Sequence, residues 1–408
     1  MVSMSEPSTP ALSAGPVYAH RAASARTALS VFFLSGLLMC FPGAILPSWG
    51  YHISEDFLTI GAYFLALGAG LVASVRVAAI LLQKKDIRFV VVFACALASA
   101  SLFYLAAVSP PVDWPWRAAG IFLVGLAAGM LNRSAFQSLT LVWERDAAST
   151  INLAGIAFGL GSLLMALFLS STFYVYTGRS SLILAALLPG FAAGIFARRH
   201  FAAPVPHHDS TPAEMWRDFR SPAAILFSLL LFFQCGNEWT VAGWLTVFAV
   251  HRAGVAPDDA LQMLALFWAA LLIGRAGTQA LLKSVGHGKL LVSSAALAML
   301  GCLFLMGTDN SGGAWVGVLL VGVGSALIYP LVVEKIGHRF PGYHPGFFNG
   351  IFSLAVAGGL LAPVTVAIGS HFLGVWVVMA LPLAGTILVF LLTLAIWLEA
   401  RLTGGKRA

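Results

Sequence analysis

Apolar residues run along this chain in long blocks separated by short polar breaks. A helix needs about 20 apolar residues to cross a hydrocarbon layer. Blocks of that length predict six spans in the first half, at 25–48, 57–80, 89–108, 118–141, 150–175 and 180–197. Six more follow at 222–250, 259–281, 290–306, 313–334, 346–370 and 374–398. The expected fold is therefore an all-α membrane protein of twelve transmembrane helices, built as bundles 25–197 and 222–398. Residues 198–221 between them hold Pro204, Pro206, His207, His208 and Pro212 and read as a linker, where two adjacent histidines are solvated and not a metal site. Residues 1–24 are small and polar with no apolar core after a basic start, so they read as a disordered tail and not a signal peptide. Residues 399–408 read as a second tail.

The blocks repeat. Arg76 and Arg275 each precede a short basic loop and stand 199 positions apart. Leu123-Val124-Gly125 and Leu320-Val321-Gly322 open matching runs of small residues at an offset of 197. Gly161 and Gly359 match at 198. Three concordant offsets imply two six-helix repeats. That duplication suits a secondary transporter of the major facilitator type, in which two similar bundles rock about one central site. Small-residue clusters let such helices pack closely.

Composition agrees. The 408 residues are 59% hydrophobic and only 10% charged, against about 25% charged in soluble domains. The net charge of +7 does not mark a nucleic-acid partner, because the basic residues sit in short loops between spans. With the N-terminus inside, seventeen Lys and Arg fall on the inner side and only Arg117, Arg179 and Arg252 on the outer. Both termini are thus expected to be cytoplasmic, in a bacterial inner membrane. Cys40, Cys95, Cys235 and Cys302 lie inside spans without metal spacing and read as packing residues. No cofactor is expected. The chain lacks a phosphate-cradling Gly-Lys-Ser/Thr loop and any loop constellation of nucleophile or metal, so neither ATP-driven pumping nor an enzyme is expected.

Several segments carry a resemblance. Phe32-Phe33-Leu34-Ser35-Gly36 with Ile45-Leu46-Pro47, Gly236-x-Glu238 with Trp244, Phe267-Trp268 with Gly274-Arg275, Ile328-Tyr329-Pro330, and Gly358-Gly359 with Pro363 together resemble the fucose permease branch of the major facilitator superfamily, the fucose–galactose–glucose:proton symporters. The resemblance implies a monomeric solute carrier with helices one, four, seven and ten lining its cavity. Two acids used by sugar symporters of that family are replaced here, by Gly43 before the Leu-Pro of the first span and by Asn132 in the fourth. The loop signature between spans two and three is reduced to Lys84, Lys85, Asp86 and Arg88.

The polar residues inside the spans are the candidates for chemistry. Glu238, in the middle of an apolar run, is costly to bury and is either the proton-coupling carboxylate or half of a helix-locking ion pair. Arg133 is either an anchor for an anionic substrate, suited by its planar fork, or the partner of Glu238. Asn132, Gln137, Gln234, Asn237 and Asn349 offer neutral donors and acceptors for hydroxyls, and Trp244, Trp268, Phe136 and Tyr329 offer flat faces for a sugar ring. Trp239 reads as packing. Arg76 and Arg275 read as gating or structural residues near the inner helix ends, with Glu144, Asp146 and Glu334 as available partners. Pro42, Pro47, Pro330 and Pro363 interrupt helical hydrogen bonding, which permits bending. The expected activity is proton-driven transport of a small polar, sugar-like solute; the alternative is an organic-anion transporter or exporter anchored by Arg133.

Overall fold

A computed structural model describes residues 16–143, 147–199, 201, 221–282, 284–340 and 345–404, with side chains further left out at 16–23, 140–143, 147–149, 279–280, 345–349, 400 and 403–404. The described residues form helices joined by short turns. In order they are α1 (Pro16–Ile45), α2 (Phe57–Lys84), α3 (Ile87–Ala107), α4 (Trp114–Trp143), α5 (Ala147–Thr172) and α6 (Gly178–Ala197). The second half has α7 (Pro222–Ala253), α8 (Pro257–Leu282), α9 (His287–Gly307), α10 (Ser311–Ala326), α11 (Ile328–Arg339), α12 (Pro345–Leu373) and α13 (Val377–Gly404). Twelve stretches are long and apolar enough to cross a membrane, α10 and α11 together forming the tenth.

Polar residues set where the helices begin. Asp56, Asp86, Thr177 and Asn310 each precede a helix and accept from the backbone N–H three residues on, a cap worth about 1 kcal/mol. Gly254 ends α7 at φ +62°, a left-handed turn that glycine adopts without strain. α1 already begins at Pro16, inside the stretch read as a tail. The tenth span breaks at Leu327, three residues before Pro330. The proline ring cannot supply an N–H and clashes with the preceding turn, so the helix restarts there. Pro42 and Pro363 lie inside α1 and α12, and so do Pro189 in α6 and Pro382 in α13.

The repeat is visible in how the helices touch. α1 packs on α5 and α2 on α4; correspondingly, α7 packs on α12 and α8 on α10. A Cβ at Gly161 would fall on the Phe33 carbonyl oxygen, and one at Gly358 on the Phe232 carbonyl oxygen. The packing equivalent of Gly161 is therefore Gly358, one residue before the glycine matched by sequence. Gly125 against Leu67 is mirrored by Gly322 against Phe267 and Ala270. Backbones approach this closely only where the side chain is absent.

The halves meet through α1–α7, α2–α12 and α5–α8. At the end of the bundle holding the α1–α2 and α7–α8 turns they are sealed. Thr246 donates to the Gly43 carbonyl at 3.0 Å, His251 Nε2 stands 3.1 Å from the Tyr51 carbonyl, and Ser170 and Tyr174 bond to Asp258 at 3.3 and 3.1 Å. Phe57 and Phe64 of the first half pack on Trp244 of the second.

Candidate functional site

Glu238 lies near the middle of the 32-residue α7. Its carboxylate accepts from Arg275 Nη2 of α8 at 2.9 Å and from Gln234 Nε2, one turn earlier, at 2.9 Å. The two charged side chains are only 11% and 12% exposed. Coulomb attraction in such an interior roughly offsets the desolvation of both ions, so the pair adds little net stability; removing one partner, which strands the other, costs about 3–5 kcal/mol. Gln234 also reaches the Ser325 carbonyl at the end of α10, 3.4 Å away.

Arg275 also faces the other half. Its carbonyl accepts from Asn152 Nδ2 of α5 at 3.3 Å, and its Nη1 lies 3.1 Å from the point where a Cβ at Gly155 would sit. Glycine at 155 makes room for the guanidinium. Next to this contact Phe158 of α5 packs edge-on against Trp239 and tilted against Trp268, both at 6.2 Å. Trp268 lies two turns before Arg275, hence on the same face of α8. Ion pair, amides and aromatic rings thus form one contiguous patch where α5 of the first half meets α7 and α8 of the second.

Several buried polar atoms in the patch have no hydrogen-bond partner among the described residues: Gln234 Oε1, Arg275 Nε, Asn152 Oδ1 and Trp268 Nε1. Each costs about 1–3 kcal/mol if left unsatisfied. Donors and acceptors held inside an apolar bundle in this way suit a hydroxyl-bearing solute. The described residues contain no His, Cys, Asp and Glu cluster able to hold a metal.

The structure sorts the sequence candidates. Glu238, Gln234, Trp268 and Arg275 come together. Arg275, read as partner to a loop acid, is instead the partner of Glu238, because α7 and α8 are neighbours and its long side chain reaches back along them. Of the acids proposed for it, Glu334 stands 3.0 Å from His287, and Glu144 and Asp146 lie outside the described residues. Arg133 does not pair with Glu238. It lies half-buried on α4, donates to the Val75 carbonyl of α2 at 3.4 Å, and has no carboxylate partner among the described residues. Arg76 is exposed and likewise unpaired with any described acid.

The other candidates have different surroundings. Asn237 is 6% exposed and its amide occupies the space left by Gly385 of α13. Adjacent helical residues point about 100° apart, so Glu238 and Asn237 cannot both face one site. Trp244 is fully buried, donating to the Pro363 carbonyl at 3.0 Å in the interhalf seal. Tyr329, in the first turn of α11, packs on Phe352 at 6.5 Å and lies close enough to Glu238 and Arg275 to feel both charges. Asn132 and Gln137 are half-buried on α4, and Phe136 there packs edge-on against Phe32 at 4.8 Å. Asn349 is in α12, with its side chain outside the described residues.

Three features escaped the sequence reading. Asn152 was not among the sequence candidates, and α5 was not expected to line the site. Trp239, read as packing, bridges the halves through Phe158. Arg117, placed in an outer loop between the spans 89–108 and 118–141, is 7% exposed; it donates to Tyr63 Oη at 2.6 Å and the Val112 carbonyl at 2.7 Å, and stacks over Trp49 and Tyr63. The tyrosines and tryptophan at 49, 51 and 63 were the available signal. Gly43 also gains a reason. A Cβ there would collide with the Ala242 carbonyl oxygen, so in this conformation an acidic side chain has no room.

Known proteins share this architecture. The chain is 21% identical over 310 residues to an uncharacterised MFS-type transporter of Yersinia pestis, covering 76% of this chain and 79% of that one. It is 25% identical over 161 residues to a glucose/galactose transporter of Brucella abortus, covering 39% of each. Among solved structures it superposes on the E. coli fucose:proton symporter FucP with a TM-score of 0.60, 18% identity, and coverage of 91% of this chain and 98% of that one. On the nucleoside transporter NupG the TM-score is 0.68 at 14% identity, with 91% and 99% covered. The sequence profile of the Major Facilitator Superfamily matches residues 27–363. With that match over most of its length, and with twelve apolar helices in two packed repeats, the chain belongs to the Major Facilitator Superfamily of membrane transporters.

Proposed function

We propose that this protein is a secondary active transporter that moves a small polar, sugar-like solute by alternating access, the bodies 25–197 and 222–398 rocking about the α5–α7–α8 patch. The observation that carries the reading is the buried Glu238–Arg275 pair, surrounded by unsatisfied amide and indole groups and touched from the opposite half by Asn152 and Gly155. Hydroxyls match those amides, and sugar C–H faces match Trp239, Trp268 and Phe158. The names of FucP and the glucose/galactose transporter point to the same solute class. Glu238 is the proton-coupling group. A carboxyl that alternates between the Arg275 guanidinium and an unpaired, desolvated setting changes its proton affinity with each swing. Arg76 serves gating, and Arg275 serves as the ion-pair partner of Glu238. The protein works as a monomer in the bacterial inner membrane with both termini cytoplasmic, as the inner excess of Lys and Arg supports; the sealed end is then the periplasmic one and the site opens inward.

Counterflow in proteoliposomes with a panel of labelled sugars and organic acids tests the solute class. Exchange of a neutral sugar is the expected result, and exchange confined to organic acids would overturn it. For coupling, Glu238→Gln should abolish uphill uptake and the solute-driven pH change while retaining counterflow. Unchanged uphill uptake would remove Glu238 from that role. One observation favours a second reading, transport or export of an organic anion: Arg133 has a buried Nε without a hydrogen-bond partner and no described carboxylate to neutralise it. Loss of organic-acid counterflow in Arg133→Gln would support that reading.

A further inference from the structure

Arg117 of α4 is buried at the sealed end of the bundle, away from the central patch. Its guanidinium is directed at three neutral acceptors of its own half. These are Tyr63 Oη of α2 at 2.6 Å, the Val112 carbonyl of the α3–α4 turn at 2.7 Å, and Tyr51 Oη at 3.4 Å. Tyr51 and Tyr63 also share a hydrogen bond at 2.9 Å. Tyr51 belongs to the α1–α2 turn, which is itself tightly folded. Pro47–Trp49 form one turn of 3-10 helix, Gly50 follows at φ +87°, and His52 Nδ1 stands 2.7 Å from the Pro47 carbonyl. The Tyr51 side chain is thus held by Arg117, while its backbone carbonyl accepts from His251 Nε2 of the opposite half at 3.1 Å. A single residue joins the buried cation to the seal.

The repeat shows that the scaffold does not require this arrangement. At the offsets of their helices, Tyr63 corresponds to Gln262 and Arg117 to Ala314. The second half braces its own turn differently: Arg252, at the end of α7, pairs with Asp309 and donates to the Met306 carbonyl at 3.3 Å. The Asp309 side chain is 73% exposed, so solvent screens that brace, whereas the bonds of Arg117 are buried. We propose that Arg117 is a positioning residue of the outer gate. It fixes the 46–52 turn to α2 and α4, so that the turn moves with the first half and meets His251 only when the halves close. The proposal rests on the alternating-access reading above. Without the guanidinium the turn is held only by its own folding and packing, and closing it against His251 carries the entropy cost of ordering it. The sealed conformation is then less populated, and the interior behind it opens to the outer side.

The test is thiol labelling of native Cys40, which lies on α1 inward of Gly43, beside Trp268, and is 2% exposed. The chain, with Cys95, Cys235 and Cys302 replaced by alanine, is treated in spheroplasts with a membrane-impermeant methanethiosulfonate. Arg117→Gln should raise the labelling rate of Cys40 by roughly tenfold. Tyr63→Phe removes one hydroxyl and keeps the ring; it should raise the rate by roughly threefold and carries the test if the arginine variant does not fold. His251→Ala should raise it as well. Adding Arg117→Gln to His251→Ala should give little further increase, because both act through the Tyr51 carbonyl. A chain whose sole cysteine is Cys95, buried in α3, should label no faster in Arg117→Gln. Unchanged Cys40 labelling in Arg117→Gln and Tyr63→Phe would overturn the proposal. So would an equal rise at Cys95, which marks general loosening, or full additivity with His251→Ala. A rise confined to inside-out vesicles would support the role of Arg117 and overturn the assigned orientation. Labelling needs no solute, so an error in the solute class leaves this result standing.

Discussion

Arg76 and Arg275 occupy matching places in α2 and α8, yet Arg76 is exposed and Arg275 is buried against a carboxylate. The halves share their packing devices, as Gly161 on Phe33 and Gly358 on Phe232 show, but not their interior chemistry. At the repeat offset Glu238 corresponds to Met39, which is 5% exposed in the first half's core. A duplicated scaffold needs the same close approaches twice, because backbone contact allows no other residue. It does not need the same charges twice, because the Glu238–Arg275 pair is not part of those close approaches. The first half supplies the opposing surface there, Asn152, Gly155 and Phe158.

The largest effect expected from this asymmetry separates the two arginines. Arg275→Ala strands Glu238 in the interior and should cost about 3–5 kcal/mol, whereas Arg76→Ala should stay within about 0.5 kcal/mol. Equal shifts in melting temperature in detergent would break the comparison. Next come the glycines that the halves share. Gly161→Val and Gly358→Val should each destabilise by about 1–3 kcal/mol through overpacking against a backbone carbonyl, and a large difference between them would show that the repeat's packing is not equivalent. A smaller loss, about 1 kcal/mol, is expected for Trp244→Phe, which removes the donor to Pro363; its repeat counterpart Ile45 carries no such bond, so Ile45→Val should cost only lost packing.

The smallest effect concerns the seal. Asp258, accepting from the Tyr174 hydroxyl, holds that phenol above its ordinary value of 10.0. A raised pKa means that the bond is intact below pH 10 and is lost only as pH rises through the shifted value. Closure at this point should therefore be independent of pH between 5 and 9, read as the accessibility of a cysteine introduced beside Tyr174. Tyr174→Phe should increase that accessibility slightly at every pH in the range.

Much of the fold was legible because a bilayer leaves few options. Backbone groups in hydrocarbon must be satisfied within the segment, so apolar blocks of sufficient length become helices, and the twelve predicted spans correspond to the twelve found. Pro330 marked a real break. Glu238 stood out for the same reason, a charge where charge is costly. Its partner was not legible. Arg133 and Arg275 were both arginines in spans, and only the adjacency of α7 and α8 selects one of them. Asn237 and Trp244 had suitable chemistry, but helix rotation turns the first toward Gly385 and places the second in the seal.

Composition, block length and the 199-residue repeat by themselves determined that this chain is a membrane transporter of two similar halves, since hydrophobic length and duplication are properties of the linear string. Which polar groups meet was decided only by the tertiary structure. Each depends on the rotation of a helix about its axis and on the half that lies opposite, and a shift of one residue moves a side chain by about 100°. That geometry brings Asn152 to Arg275 across the interface and leaves Arg133 on the Val75 carbonyl.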